Sequence, residues 1–96
     1  MRKSGEASRE AAETLAIQGL GFIAADEDRL LAFIGLTGTG LDEIRARAGD
    51  SAFLAGVLDY LLADEPLLLE FAEAQAIRPQ LIMSLRRELP GASPDY

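Results

Sequence analysis

Apolar positions recur at helical spacing along almost the whole chain, and capping or helix-stopping residues separate the runs. The most apolar run, residues 52–62, places its large side chains over about 200° of a helix circumference, against about 100° for an ordinary surface helix. Only Asp59, Ala52 and Ala55 are left to face water. Such a helix needs neighbours on at least two sides, so we expect it at the centre of a bundle. The residues of the apolar arc are Phe53, Leu54, Val57, Leu58, Tyr60, Leu61 and Leu62.

Residues that start or stop helices divide the rest of the chain into further short helices, and no segment alternates with period two. In the first helix, near 6–24, Gly19 and Gly21 indicate either a close approach to another helix or a break. The expected N-caps are Asp26 for the second helix, Thr39 for the third, Asp50 or Ser51 for the fourth and Asp64 for the fifth, and Pro79 opens the sixth. The expected inward residues are Leu30, Leu31, Phe33 and Ile34, then Leu41, Ile44 and Ala48, and finally Leu81, Ile82, Leu85 and Leu89. The pattern predicts an all-α, compact orthogonal bundle of five or six short helices.

Two segments of the chain resemble each other. Residues 20–33 align without gaps on residues 58–71, and each copy contains a helix end, a corner capped by Asp26 or Asp64, and the start of the next helix. Two readings remain open. Either the fold contains two pseudo-repeated helix–corner–helix units, or a chain rich in Leu and Ala has used a common capping solution twice.

Composition limits the chemistry that the chain can perform. Its 96 residues are enough for a single domain, with residues 1–5 and 91–96 expected as flexible tails. The absence of Cys and His removes thiolate ligands and the commonest general base, and a net charge of −7 opposes binding to polyanions. Acidic residues interrupt the basic start that a signal peptide requires, and no apolar run is long enough to span a membrane. We therefore expect a cytoplasmic protein without membrane contact.

The acidic clusters do not predict a catalytic site. Asp26-Glu27-Asp28, Asp42-Glu43 and Asp64-Glu65 could supply paired carboxylates, but each falls at a helix start, where capping already explains it. No phosphate-binding glycine loop or nucleophile–base pair is visible. The sequence therefore predicts no catalytic, cofactor-binding or metal-binding residue, no cofactor and no enzyme activity.

Two functions remain open. Leu67, Leu69 and Met83 extend beyond the apolar faces of their helices, which favours a protein-interaction or homo-oligomerisation module that binds a protein partner or a second copy. The alternative is a helix-turn-helix protein whose last two helices bind nucleic acid. In that alternative the phosphate contacts come from Arg78, Arg86 and Arg87. The acidic net charge makes nucleic acid the less favoured partner.

The corner of the central helix also carries a motif. Phe53-Leu54-x-x-Val57-Leu58-x-Tyr60-Leu61-x-x-Asp64-Glu65, together with Thr37-Gly38, Phe71-Ala72 and Pro79, resembles a small bacterial family known only as a domain of unknown function. The resemblance extends over roughly residues 10–90. Asp42 departs from it, because the family tends to have Pro at that position. The resemblance implies a compact helical domain and implies no activity.

Overall fold

The computed structural model describes residues 3–91, with side chains from residue 8 onward. These residues form six helices and no strand, which confirms the predicted all-α fold. The first helix begins at residue 3, earlier than expected, and the predicted tail residues 92–96 lie outside the described part. The helices are α1 (Lys3–Ala24), α2 (Glu27–Thr37), α3 (Leu41–Arg47), α4 (Ser51–Leu62), α5 (Glu65–Gln75) and α6 (Pro79–Arg86).

Carboxylate caps begin three of these helices: Asp26 and Asp64 as predicted, and Asp50 of the two candidates for α4. The Asp26 side chain accepts hydrogen bonds from the backbone N–H groups of residues 28 and 29, and Asp50 and Asp64 cap α4 and α5 in the same way. Thr39 was expected to cap α3, and this prediction is wrong. The N-cap is Gly40, which has no side chain to contribute, and Thr39 lies one residue too early to reach the first turn.

The central position of α4 is confirmed. Six large apolar residues on and around it are less than a tenth exposed, and α4 packs against α1, α5 and α6. Ala55, expected to face water, is only 2% exposed, because helices cover α4 on more sides than its large apolar residues alone indicated. Each large side chain buried in this way stabilises the fold by about 1.5–3 kcal/mol. The six residues are Phe33, Phe53, Val57, Leu58, Leu61 and Phe71.

Helices α1 and α4 run side by side in the same direction. The hydroxyl of Ser51 donates a hydrogen bond to the carboxylate of Glu13, and further along Gly19 approaches Val57. Both pairs join residues that are 38 positions apart. A Cβ atom on Gly19 would lie 2.8 Å from Cδ1 of Leu61, so this glycine permits the close approach, and the helix does not break there.

The two halves of the chain repeat with the same spacing of 38 residues. Helices α1 and α4 end at residues 24 and 62, α2 and α5 cover residues 27–37 and 65–75, and α3 and α6 begin at residues 41 and 79. Gly38 and Ala76 end α2 and α5 in the same left-handed conformation, with φ of 73° and 58°. The repeat therefore extends beyond the aligned segment, through four pairs of equivalent helix boundaries.

Aromatic contacts show that the halves are related by a pseudo-two-fold exchange. Phe22 packs against Phe71 with ring centroids 5.3 Å apart, and Tyr60 packs edge-on against Phe33 at 4.9 Å. Phe22 and Tyr60 are equivalent positions, 38 residues apart, and so are Phe33 and Phe71. The contact of Phe22 with Phe71 is therefore equivalent to the contact of Tyr60 with Phe33. Of the two readings of the repeat, the fold supports the one with two equivalent helix–corner–helix units.

Three leucines expected in the core are at the surface. Leu31 is 58% exposed, Leu41 50% and Leu81 43%, because each lies at the edge of an apolar face that is wider than the neighbouring helix covers. Helix α6 also ends earlier than expected, at Arg86, although Leu89 in the following turn is still buried.

Candidate interaction groove

The pseudo-two-fold symmetry fails at α3. Helix α6 packs against α1, α4 and α5, whereas α3 has no comparably extensive packing with any helix. The inward residues explain the difference. Ile82 of α6 is fully buried and its counterpart Ile44 is only half-buried, while Arg47 of α3 takes the position that Leu85 holds in α6. Arg47 is exposed and pairs with acidic neighbours, so α3 offers fewer apolar contacts to the core than α6 does.

A cavity of about 220 Å³ lies between α2, α3 and α4, on the side where α3 packs loosely. Its floor is apolar, and the guanidinium of Arg47 lies at its edge, 5.6 Å from the ring centroid of Phe53. Arg47 is held there by ion pairs with Glu43 and Asp50 on the exposed surface. The lining includes Phe33, Thr37, Ala52, Phe53, Gly56 and Val57.

A second and wider depression, of about 450 Å³, lies between the end of α2 and the corner joining α4 to α5. It also contains Thr37, so the two depressions adjoin at the last turn of α2. The lining includes Leu36, Tyr60, Ala63, Asp64, Glu65 and Pro66.

Together the two depressions follow one face of α4. Ala52 and Gly56 line the first, Tyr60 and Ala63 line the second, and these residues span nearly the whole helix. At 1.5 Å per residue, the 12 residues of α4 are about 18 Å long. We call this surface the α4 groove. It has the length of about three helical turns.

The groove has an apolar rim at one end and an acidic corner beside it. Leu36 is 78% exposed, the most exposed of the large apolar residues in the described part of the chain. Burial, together with the negative charge of Asp64, raises the pKa of the Tyr60 phenol above its ordinary value of 10.0. Glu65 adds a second, exposed carboxylate. An apolar surface with a charged edge is typical of a protein-binding site.

The residues predicted for an interaction surface lie elsewhere. Leu69 and Met83, 48% and 38% exposed, are on α5 and α6, and Leu67 is half-buried against the core. None of the three lines the α4 groove.

The three arginines of the nucleic-acid alternative do not share one surface. Arg78 and Arg87 are exposed, but Arg86 is only 2% exposed. Its guanidinium binds the Asp59 carboxylate at 2.6 and 3.0 Å. In this conformation Arg86 does not present its charge to a phosphate, contrary to the expectation for that alternative.

The structure brings no group of three or more His, Cys, Asp or Glu residues together around a possible metal position within residues 8–91. Over the described helices, none is both long enough and apolar enough to cross a membrane.

Residues 9–92 match the family described as "Protein of unknown function (DUF3572)". The chain belongs to this family. The resemblance found in the sequence is thereby confirmed at the level of a domain family of unknown function. A search of curated proteins found no match, and a search of solved structures found none.

The groove of this DUF3572 domain left a signal in the sequence that pattern analysis missed. Extending the alignment of the two halves beyond residue 33 sets Arg47 opposite Leu85 and Thr39 opposite Ile77. Both changes replace an apolar residue of the second half by a polar one in the first. They indicate that α3 packs less closely against the neighbouring helices than α6 does.

Proposed function

We propose that this DUF3572 chain is a small cytoplasmic protein-interaction domain without catalytic activity of its own, and that the α4 groove is its binding surface. The observation that carries the proposal is the loss of pseudo-symmetry at α3. Helix α6 packs closely against its neighbours, whereas α3 packs loosely and leaves an apolar face of the central helix less well covered. Surfaces of this kind form the cores of protein interfaces.

The side chains of the groove suit this role. Tyr60 offers a half-buried aromatic ring on α4, and exposed Leu36 adds an apolar contact at the rim. Aromatic anchors in partly desolvated pockets usually supply most of the free energy of binding. Leu69 on α5 and Met83 on α6 are further exposed apolar side chains, which self-association would use.

Binding to nucleic acid remains the second candidate. A short connection, residues 76–78, joins α5 to α6. Arg78 is exposed in this connection, and Arg87 is exposed at the far end of α6. Exposed Glu70 and Glu73 on α5 and the net charge of −7 oppose it. We expect no retention on random duplex DNA at low salt. Micromolar binding that weakens steeply as salt is raised would make this candidate the leading one.

Site-specific photocrosslinking in the native host tests the proposed groove directly. A photoreactive residue replaces Gly56 in the groove, and in a control it replaces Gly21, an exposed helical glycine of α1 that also has open space around it. We expect a protein adduct of discrete mass at position 56 and none at position 21. Leu36→Asp should suppress the adduct, because it places a charge on the apolar rim. Adducts of equal yield at both positions, or none at either, would refute the proposal.

A further inference from the structure

Helix α2 has an outer face that is both exposed and apolar. Leu31 is 58% exposed and Leu36 78%, and Ala32 and Gly35, which lie between them on the helix surface, are exposed as well. No charged residue occurs from residue 30 to residue 41, although 26% of the chain is charged. We call these four exposed residues the α2 face. No helix of the described part of the chain covers it.

The second half of the chain shows that the fold does not require this face to be apolar. The four counterparts, 38 residues further on in α5, are also exposed. They are Leu69, Glu70, Glu73 and Ala74. The positions of Ala32 and Gly35 thus carry glutamates in α5, as is usual for a helix surface in water. Two equivalent and equally accessible faces therefore differ in chemistry, and only the α2 face has the composition of a contact surface.

The α2 face is complementary to a second copy of itself. Gly35 has open space around it, and together with Ala32 it forms a shallow region between the two leucines. If two copies meet with antiparallel helices, the small residues face each other at the centre and allow the helix axes to approach closely. Each Leu31 then lies beside the Leu31 of the second copy along one edge, and each Leu36 beside its equivalent along the other. Such a two-fold contact uses the same residues on both copies.

We propose that the α2 face is the contact surface of a weak homodimer in which the two α2 helices are antiparallel. Homodimer contacts are more apolar than contacts between different proteins, and the α2 face carries no charge with which to select a foreign partner. Leu69 on α5 is the alternative site of self-association. A two-fold contact there would bring Glu70 and Glu73 of both copies together, and like charges oppose such a contact.

The charges of α2 itself favour the antiparallel arrangement. Glu27 and Asp28 lie in the first turn of the helix. With the two-fold axis at the level of residues 33 and 34, the two copies of Asp28 lie about 16 Å apart along the helices, about twice the screening length at physiological salt. A parallel pair would place the same carboxylates next to each other. The antiparallel pair therefore joins the apolar residues and separates the acidic ones.

The size of the contact sets its strength. Helix α2 has 11 residues and is about 16 Å long, so a contact through one of its faces buries less than the about 1,200–2,000 Å² of a stable interface. The dimer should therefore exchange with the monomer and dissociate on dilution. Since each copy carries a net charge of −7 and the contact is apolar, added salt should strengthen the dimer, because it screens the repulsion between the copies.

The solution mass of the full chain tests the dimer. Sedimentation equilibrium should show the mass rise from 10.3 kDa toward twice this value as the concentration is raised from micromolar to millimolar. Leu31→Glu should weaken dimerisation at least tenfold, equivalent to about 1.4 kcal/mol, because it places two like charges in the contact. Leu69→Glu is the matched control, since it adds the same charge at the equivalent position, and it should change the dissociation constant less than twofold. Thermal unfolding checks that both variants are folded.

A single cysteine tests the place of the contact, since the chain has no Cys of its own. Residues close to a two-fold axis meet their own counterparts, so Gly35→Cys should form disulfide-linked dimers on mild oxidation. Glu73→Cys, at the equivalent position of α5, is the control and should cross-link at least tenfold more slowly. Gly35 has room for the new side chain.

Three results would overturn the inference. These are a chain that stays monomeric up to millimolar concentration, a dimer that Leu69→Glu weakens as much as Leu31→Glu does, and equal cross-linking at positions 35 and 73. The outcome is separate from that of the proposed function, because neither Leu31 nor Gly35 lines the α4 groove. A monomeric chain with a discrete adduct at position 56 would reject the dimer and keep the groove as a binding site.

Discussion

The guanidinium of Arg86 on α6 donates hydrogen bonds from Nε and Nη2 to the two carboxylate oxygens of Asp59 on α4, at 2.6 and 3.0 Å. Its remaining donors reach the carbonyl oxygens of residues 89, 90 and 91 at 3.1–3.2 Å. The arginine side chain is 3% exposed and that of Asp59 37%. One buried side chain therefore ties the turn after α6 to the central helix.

Removal of the carboxylate should destabilise the fold. Asp59→Ala leaves a buried guanidinium without this partner, and we expect a loss of about 2–3 kcal/mol, below the usual cost for a fully buried pair because Asp59 is partly exposed. Urea denaturation measures it. The control Arg87→Ala removes an exposed neighbour and should change stability by less than about 0.5 kcal/mol. Equal losses in the two variants would contradict this account of the pair.

Replacing Gly19 and Gly21 of α1 by alanine should change the stability of the fold in opposite directions. Gly19→Ala places a methyl group against Leu61, which is fully buried and can shift little, so overpacking should exceed the gain in helix propensity and cost about 1–2 kcal/mol. Gly21→Ala meets open space and should stabilise by about 0.5–1 kcal/mol. Thermal unfolding of both variants is the measurement. A stabilised Gly19→Ala variant would show that α1 and α4 are further apart.

The caps at the two corners should behave alike. Asp26→Ala and Asp64→Ala should each cost about 1 kcal/mol in chemical denaturation, whereas the Asn variants should be nearly neutral because Asn also accepts from the first-turn N–H groups. If Asp64→Asn abolished a cellular function while leaving stability unchanged, that carboxylate would have a role beyond capping. Its position at the α4 groove would then be the first place to look.

Tyr60 should make the fold sensitive to alkaline pH. Its pKa is raised by burial and by Asp64, so the folded chain holds the phenolic proton more tightly than the unfolded chain does. This stability is fully present below the ordinary pKa of 10.0 and is lost as pH rises through the raised value. Tyrosinate absorbance should show one late-titrating group that Tyr60→Phe removes. A Tyr60 that titrates at the ordinary pKa would contradict the described environment.

A substitution at the centre of the bundle should cause the largest loss of stability. Phe53 is 8% exposed between α4 and its neighbours, and Phe53→Ala should cost about 3–5 kcal/mol in a urea titration. Ala52→Ser, a change at the exposed neighbouring position, is a mild control. A loss below about 1 kcal/mol would mean that α4 is not the central helix.

The sequence by itself determined the helices, most of their caps and the centre of the core. These features depend on local chemistry: an Asp before a helix accepts from that helix's own N–H groups, and the apolar arc of α4 requires cover whatever the neighbours are. The corners at Asp26 and Asp64 could be identified as equivalent for the same reason. Thr39 failed as a cap because a shift of one residue at a helix start changes which N–H groups a side chain can reach.

Only the tertiary structure decided which apolar faces are covered. Leu41 of α3 and Ile82 of α6 both belong to amphipathic patterns, yet the first is half exposed and the second is fully buried. A helical pattern shows which face avoids water, but the depth of burial depends on how closely the neighbours approach. Likewise, Arg86 looks like a surface charge until the fold places Asp59 within 2.6 Å of it. The α4 groove lies where α3, which has Arg47 in the position of Leu85, packs less closely than α6 does, a property of two helices and their surroundings that no single segment contains.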